Sequence, residues 1–413
     1  MKRIYTRLLV IALILALSPA AFASSTWYAD GVNGDDANDC KSWTNACGTI
    51  GHAISLSASG DTIQIAAATY QENLAIPFSL TLTGAQTTTT IIDGGYNGDV
   101  IVDLNTSDHV TLSNLTIQKG SGSHGGGVLN GARMTIRNSI ISGNIAGAGG
   151  GIYNAGTLMI ITSTISGNYA ASTYSAAGGG IYNIGTLTID KSTLIGNAGT
   201  PAFVYGGAIQ NSGTLTITNS TLSGNSASGS TGGAGGAINT GAGTVTITNS
   251  TISGNSASRI FGGGGIYAGG GTVKINNSTI SGNSSAAPAG NVSAAGGTVT
   301  LQNSIVANSP SGGNCFGTMI SHGHNLSSDG TCKFNSSGDL NNHDPLLGPL
   351  QNNGGPTATM TLLPGSLAID AGNPAGCSDG LGHLLKTDQR GMPRPDKEDI
   401  VGCDMGAYER QGD

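Results

Sequence analysis

Charge is scarce in this 413-residue chain: Asp, Glu, Lys and Arg together make up 9% of it, and glutamate occurs only at Glu72, Glu398 and Glu409. The balance is acidic, with a formal net charge of −7, so the basic footprint that nucleic acid requires is missing. Between Gly125 and Ser304 the charged residues are Arg133, Arg137, Asp190, Lys191, Arg259 and Lys274. A glycosidase needs two carboxylates close together, and a polyuronate lyase needs acidic groups for calcium beside a basic residue. A stretch with one carboxylate supplies neither, so no catalysis is expected there. Helical periodicity is also missing between the strand-like segments, which excludes doubly wound and barrel folds built on helical crossovers. No C-x-x-C spacing occurs, so no zinc site is expected, and calcium is left as a minor alternative to no cofactor. After residue 23 nothing approaches the roughly 20 apolar residues of a membrane-spanning helix.

What the chain does contain begins with an export signal. Lys2, Arg3 and Arg7 precede the apolar run Leu8 to Leu17, and Ala21-Phe22-Ala23 fits the small-residue cleavage rule. Residues 1–23 are therefore read as a signal peptide, whose removal takes the charge from −7 to −10. An exported chain favours disulfides among its six cysteines, Cys40, Cys47, Cys315, Cys332, Cys377 and Cys403. Pairing by neighbourhood, Cys40–Cys47, Cys315–Cys332 and Cys377–Cys403, is the simplest of several connectivities.

Glycine is the commonest residue, at 69 positions, yet regularly spaced Ile, Leu and Val argue against disorder. A Gly-Gly-x-Ile/Val phrase ends at Val128, Ile152, Ile181, Ile209, Ile238 and Ile266. A Gly-Asn phrase closes the same copies at Asn144, Asn168, Asn197, Asn225, Asn255 and Asn283, 24 to 30 residues apart. Such a period signals a solenoid. Within Gly235 to Asn255, strand-like segments centre on Ile238, on Val245-Thr246-Ile247 and on Ile252, separated by turn residues. The economical solution is an all-β, right-handed parallel β-helix with three strands per coil and roughly ten coils, about 50 Å long.

Residues 24–75 are read as an N-terminal cap and first coil. In them, Ile50, Ala53, Ile54 and Ala58 have the spacing of a short amphipathic helix over the open end. Residues 76–310 are the repeats, and 311–413, richer in proline, charge and cysteine, are a module covering the other end. The repeated asparagines are structural ladders, each amide bonding its neighbours one coil away, with a left-handed backbone tolerated at Asn. Copies differ mainly after the Gly-Asn, and insertions confined to one place project from one edge, often the binding edge.

The Gly-Gly-x-Ile and Gly-Asn elements resemble the repeats of polymorphic outer membrane proteins and related right-handed β-helix proteins. The run Cys47-Gly-Thr-Ile-Gly-His-Ala-Ile, then Gly60-Asp61-Thr62-Ile63 and Tyr70-Gln-Glu-Asn73, is similar to the start of many such helices. The tail, DPLLGPLQNNGGPTATMTLLPGSLAIDAG (344–372), TDQRGMPRP (387–395) and CDMGAYER (403–410), resembles the choice-of-anchor Q domain of exported bacterial proteins. The resemblance implies fold and export rather than an activity. No sorting motif or apolar tail follows Ala-Tyr-Glu-Arg here, so a secreted, cell-surface or periplasmic protein without covalent anchoring is expected.

Tyr153, Tyr182 and Tyr267 occupy the exposed slot after the repeat Ile, and Tyr174 and Tyr205 lie in the variable loops. Aromatic platforms flanked by Asn, Ser and Thr suit a sugar ring or a protein partner. They are the expected ligand-binding residues of an adhesive or surface-interaction scaffold for glycan or protein, with no catalytic residues. The alternatives are a glycan-active lyase or hydrolase seated at Asp93, Asp99, Asp103, Asp108 and Lys119, and a passive envelope spacer. No cofactor is expected. The Asp-rich run 30–39 has the composition of a calcium loop, but lacks its full spacing and closing Glu and is read as a solvated turn.

Overall fold

The structure, a computed structural model, describes residues 24–258, 262–286, 288–397 and 402–412. The expected signal peptide, Arg259 and Glu398 lie outside the described residues. The chain winds into a parallel β-helix whose strands stack on their equivalents in three sheets of 20, 8 and 12 strands. Twelve strands at about 4.8 Å make a stack about 50 Å long.

The coil divides differently from the sequence reading. Segments such as Ile238–Thr240 and Thr244–Thr248 lie in one and the same 20-stranded sheet, and Thr251–Ser253 lies in the 12-stranded one. The third face is built from the variable segments. Tyr169–Ala177 pairs in parallel with Ala198–Tyr205, so these are strands rather than projecting loops. Their inward side chains are small, Ala170, Ala176, Val204, Ala227 and Ala257, and form a core of their own. Alanine gives a weak period-two signal, which is why the sequence reads as loop.

The main core is columnar. Ile152, Ile181, Ile209, Ile238 and Ile266 are in register, as are Ile160, Ile189, Ile217, Ile247 and Ile275, all fully buried. The doubled glycine before each first-column residue has two separate causes. Gly178 has φ +63, and a Cβ on it would collide with the Ile181 carbonyl. A Cβ on Gly179 would collide with the Ala198 carbonyl of the neighbouring coil.

Polar ladders run inside the corners. Asn144 Nδ2 donates to Asn168 Oδ1 (2.9 Å), and the chain of amides continues through Asn197, Asn225, Asn255 and Asn283 to Asn291 and Asn314. The left-handed backbone belongs to the glycine before each of these, Gly143 to Gly282, and to another column that includes Asn219, Asn249 and Asn277. A second amide ladder, Asn130, Asn154, Asn183 and Asn211, with 2.7 Å bonds, escaped the sequence reading. So did a serine ladder in which the Ser139 amide donates to Ser163 Oγ, Ser163 to Ser192 and Ser192 to Ser220.

The helix Ile50–Leu56 buries Ile50, Ala53 and Ile54 against the first strands, and ends before Ala58. Thr49 caps it, and the Glu72 carboxylate accepts the amides of Ile50 (2.9 Å) and Gly51 (2.7 Å), favourable at a helix N-terminus. The three disulfides pair by neighbourhood.

The C-terminal region departs from a cap over the end. Cys315–Ser321, Leu326–Ser327 and Leu340–Asn341 still stack on the coils. The remainder runs along the flank of the 12-stranded sheet. Gln389 Nε2 donates to the Ser220 carbonyl, Asn249 Nδ2 to the Thr387 carbonyl and Asn277 Nδ2 to the Ser378 carbonyl. Thr221, Thr251 and Thr279 are accordingly buried, whereas Thr164 and Thr193, which precede them in the same column, are not. Small hydroxyl side chains admit a second layer of backbone, and their hydrogen bonds hold it. Inside the tail, Arg394 Nε donates to Glu409 Oε2 (2.7 Å), both side chains fully buried, and Asp388 pairs with Arg390 (2.8 Å).

Two outcomes follow from these contacts. Asn225→Leu leaves buried donors and acceptors in both adjacent coils unpaired, and should lower the unfolding free energy by about 3 kcal/mol or more, measured by denaturant titration. Glu409→Leu leaves the buried Arg394 without its 2.7 Å partner and should cost about 3 kcal/mol. That loss should show as faster proteolysis of the tail than of the coils.

Candidate functional site

The outer face of the 20-stranded sheet carries a column one residue after the buried Ile. In register it reads Leu129, Tyr153, Tyr182, Gln210, Asn239 and Tyr267. The alternation of a strand turns these side chains outward because their neighbours point into the core. Tyr153 and Tyr182 stack at 5.3 Å between ring centroids, tilted by 34°, and the exposed His124 meets Tyr153 edge-on at 4.9 Å. Both Tyr153 and Tyr182 remain half-buried, with one aromatic surface continuous across two coils. Burial raises the Tyr153 hydroxyl above its ordinary pKa, with Tyr182 adding to the rise.

Between the tyrosines lies an amide step. Gln210 is buried, yet its Oε1 has no hydrogen-bond partner, and Asn239 Nδ2 donates to the Ala234 carbonyl. Tyr267 follows, and the column continues through Ser293 to Phe316; burial raises the Tyr267 hydroxyl pKa and the nearby Tyr205 adds to it. Tyr205 stacks on Phe203 at 4.5 Å. Of the five expected ligand-binding tyrosines, Tyr153, Tyr182 and Tyr267 share one column, and Tyr205 adjoins it from the third sheet. Tyr174 stands 86% exposed. His124 was missed as a site residue. Gln210 and Asn239 fall in the same repeat slot as the tyrosines but are buried rather than exposed.

A second, more polar recess lies further along the same sheet. A cleft of about 410 Å³ is lined by Lys274, Asn276, Thr300, Gln302 and His322, with Gly380 of the tail at its edge. The Asn276 amide donates to the Asp379 carbonyl, which fixes the tail loop against the sheet.

The acidic residues of 93–119 gather at two corners rather than one face. Asp93 accepts Lys119 Nζ (2.8 Å) and Gln118 Nε2 (2.9 Å). Burial pushes its carboxyl up, but these bonds and the Gly95 amide hold it below the ordinary value. Asp99 lies beside Gly122; burial raises it to about 6, against the pull of His124. Asp103 ends the strand Ile101–Asp103 and Asp108 closes the turn that follows it. In the 30–39 run the carboxylates bind local amides: Asp30 those of Val32 and Asn33, and Asp36 that of Thr49.

Fold and site together define a right-handed parallel β-helix with an open, aromatic-bearing outer sheet. A family model described as "Right handed beta helix region" matches residues 88–236. Among solved structures, the chain is similar to pectate lyase Pel9A, with TM-score 0.53 and 14% identity, over 95% of this chain and 98% of that one. It is also similar to XylC in complex with xylose, with TM-score 0.50 and 10% identity, over 94% and 99%. These likenesses are of fold. No curated protein sequence matches the chain. Among the described residues no helix is long and apolar enough to cross a membrane.

The Asp93 contacts carry a pH signature. A carboxyl depressed in the fold contributes stability above its unfolded pKa, and that contribution disappears as pH falls through the folded value. Lys119→Met removes one cause of the depression. Between about pH 5 and pH 3 the variant should therefore lose less melting temperature than the wild type, compared by thermal melts.

Proposed function

We propose that this is an exported β-helix protein that binds glycan or protein at a surface through its outer sheet, without catalysis. The column Tyr153–Tyr182–Gln210–Asn239–Tyr267 carries the reading. It sets partly exposed aromatic faces in one line along the axis, over a buried amide step, and such faces pack against sugar rings. The fold likeness to a pectate lyase and to a xylose-bound protein favours carbohydrate over other ligands. Three disulfides suit an extracytoplasmic site, secreted or at the cell surface. On this reading the repeats are of the polymorphic-outer-membrane-protein kind, and the tail is a choice-of-anchor-Q-like module.

A polysaccharide lyase or hydrolase at the irregular coils is the second reading. Asp99 favours it, since a partly exposed carboxyl raised to about 6 is suited to proton transfer. A glycan array run beside reducing-sugar and ultraviolet lyase assays separates the two. Binding without turnover is expected, and turnover abolished by Asp99→Asn would replace the first reading with the second. With neither, a passive spacer remains. In the binding case, Tyr153→Ser with Tyr182→Ser should weaken affinity at least about tenfold, with melting nearly unchanged.

A further inference from the structure

The turn Leu104–Asp108 joins the strands Ile101–Asp103 and His109–Ser113, and has a carboxylate at each end. Asp103 is fully buried: Oδ1 accepts the Asn105 amide (3.2 Å), and Oδ2 has no partner. Asp108 is 7% exposed, and its Oδ2 is likewise without a partner. Burial raises the Asp103 carboxyl to about 6; the Asn105 amide opposes this and the Asp108 charge reinforces it. Two buried carboxylate oxygens therefore sit near one another with no proton donor supplied by the protein.

The repeat explains why no donor is there. Asp103 is the register partner of Asn130, at the head of the second asparagine ladder. In each later coil the side-chain Nδ2 donates to Oδ1 of the next, at 2.7 Å from Asn130 to Asn154, Asn154 to Asn183 and Asn183 to Asn211. A carboxylate has no hydrogen to give. By the repeat of the ladder, Asn130 Oδ1 occupies the place that accepts from the coil below; it accepts the Ala132 amide (3.2 Å) and faces an acid in place of the next amide. An arrangement of oxygens from Asp103, Asp108 and Asn130 is repulsive unless something positive lies among them.

We propose that Asp103 and Asp108, with the amide oxygen of Asn130, bind a calcium ion that joins the irregular first coils to the regular stack. The donors are all hard oxygens, with no thiolate or imidazole among them, and two carboxylates offset the charge of a divalent ion. The exposed turn 104–107 leaves room for water and carbonyl oxygens, which suits the flexible coordination of calcium better than the strict octahedron of magnesium. The site is independent of the glycan reading.

The test uses the full chain, stripped with chelator and then melted in chelator, calcium or magnesium, beside Asp103→Asn and Asp108→Asn. Calcium should raise the wild-type melting temperature by about 3 °C, with one ion per chain by isothermal titration. Asp103→Asn restores an amide to the ladder, so it should melt in chelator at or above the stripped wild type and show no calcium response. Asp108→Asn should lose the response as well, which keeps the test open if one variant folds poorly. A wild type indifferent to calcium would overturn the proposal, as would variants that respond as the wild type does. A stripped wild type stabilised by acid alone would assign the place to a proton instead.

Discussion

A carboxamide offers one acceptor and one donor group, so a column of buried asparagines can satisfy itself only when each coil lies directly over the next. From Asn144 to Asn314 every side chain donates upward and, beyond the first, accepts from below, with no water available as a substitute. A one-residue slip would strand donors and acceptors in an apolar interior, at about 1–3 kcal/mol for each group. This sets the register of the whole molecule more strictly than the aliphatic columns could, because Ile, Leu and Val exchange contacts at little cost. The serine ladder and the second asparagine ladder repeat the constraint at other corners. Variation in coil length falls largely in the third sheet, where register shifts occur between Ala146 and Ala148 and between Ser172 and Ser175, with a further shift in the 20-stranded sheet between Ala294 and Val299.

The same rigidity decides where interaction chemistry can lie. Inward positions are committed to packing and to the ladders, so only outward columns are free. On the 12-stranded sheet the tail covers the hydroxyl column from Thr221 onward and bonds to it. On the 20-stranded sheet the tyrosine column is partly exposed at Tyr153, Tyr182 and Tyr267 and closed between them at Gln210 and Asn239, and the threonine column beside it runs into the Lys274 cleft. The repeat thus lays out exposed side chains as lines parallel to the axis. The paired acids of the tail, Asp388 with Arg390 and Glu409 with Arg394, hold that segment together, and Arg394 Nη1 also donates to Asn249 Oδ1 of the coils.

Much of this was legible in the residues. The period of Gly-Gly-x-Ile and Gly-Asn specifies a solenoid, because glycine is needed where a Cβ would strike a carbonyl and isoleucine where the coil turns inward. The cysteine pairing followed from proximity in the chain, since each disulfide closes a short local loop. The third face was not legible: Ala170, Ala176 and Ala257 bury themselves without the β-branched alternation that marks a strand. The second ladder was hidden for another reason. Asn130, Asn154, Asn183 and Asn211 follow a Leu, Tyr or Gln at turn starts, where asparagine is common for local reasons.

The amino-acid sequence by itself determined the parallel stacked architecture, its corner glycines and the tyrosine positions, because each is a local requirement repeated at a fixed period. Only the tertiary structure decided which columns stay open, how the tail lies along the flank, and that Asp103 meets Asp108 and Asn130. Those relations join residues from different coils or from distant segments. The energies that select them, burial of a carboxylate and hydrogen bonds to an outer face, depend on what lies across the gap rather than on neighbours in the chain.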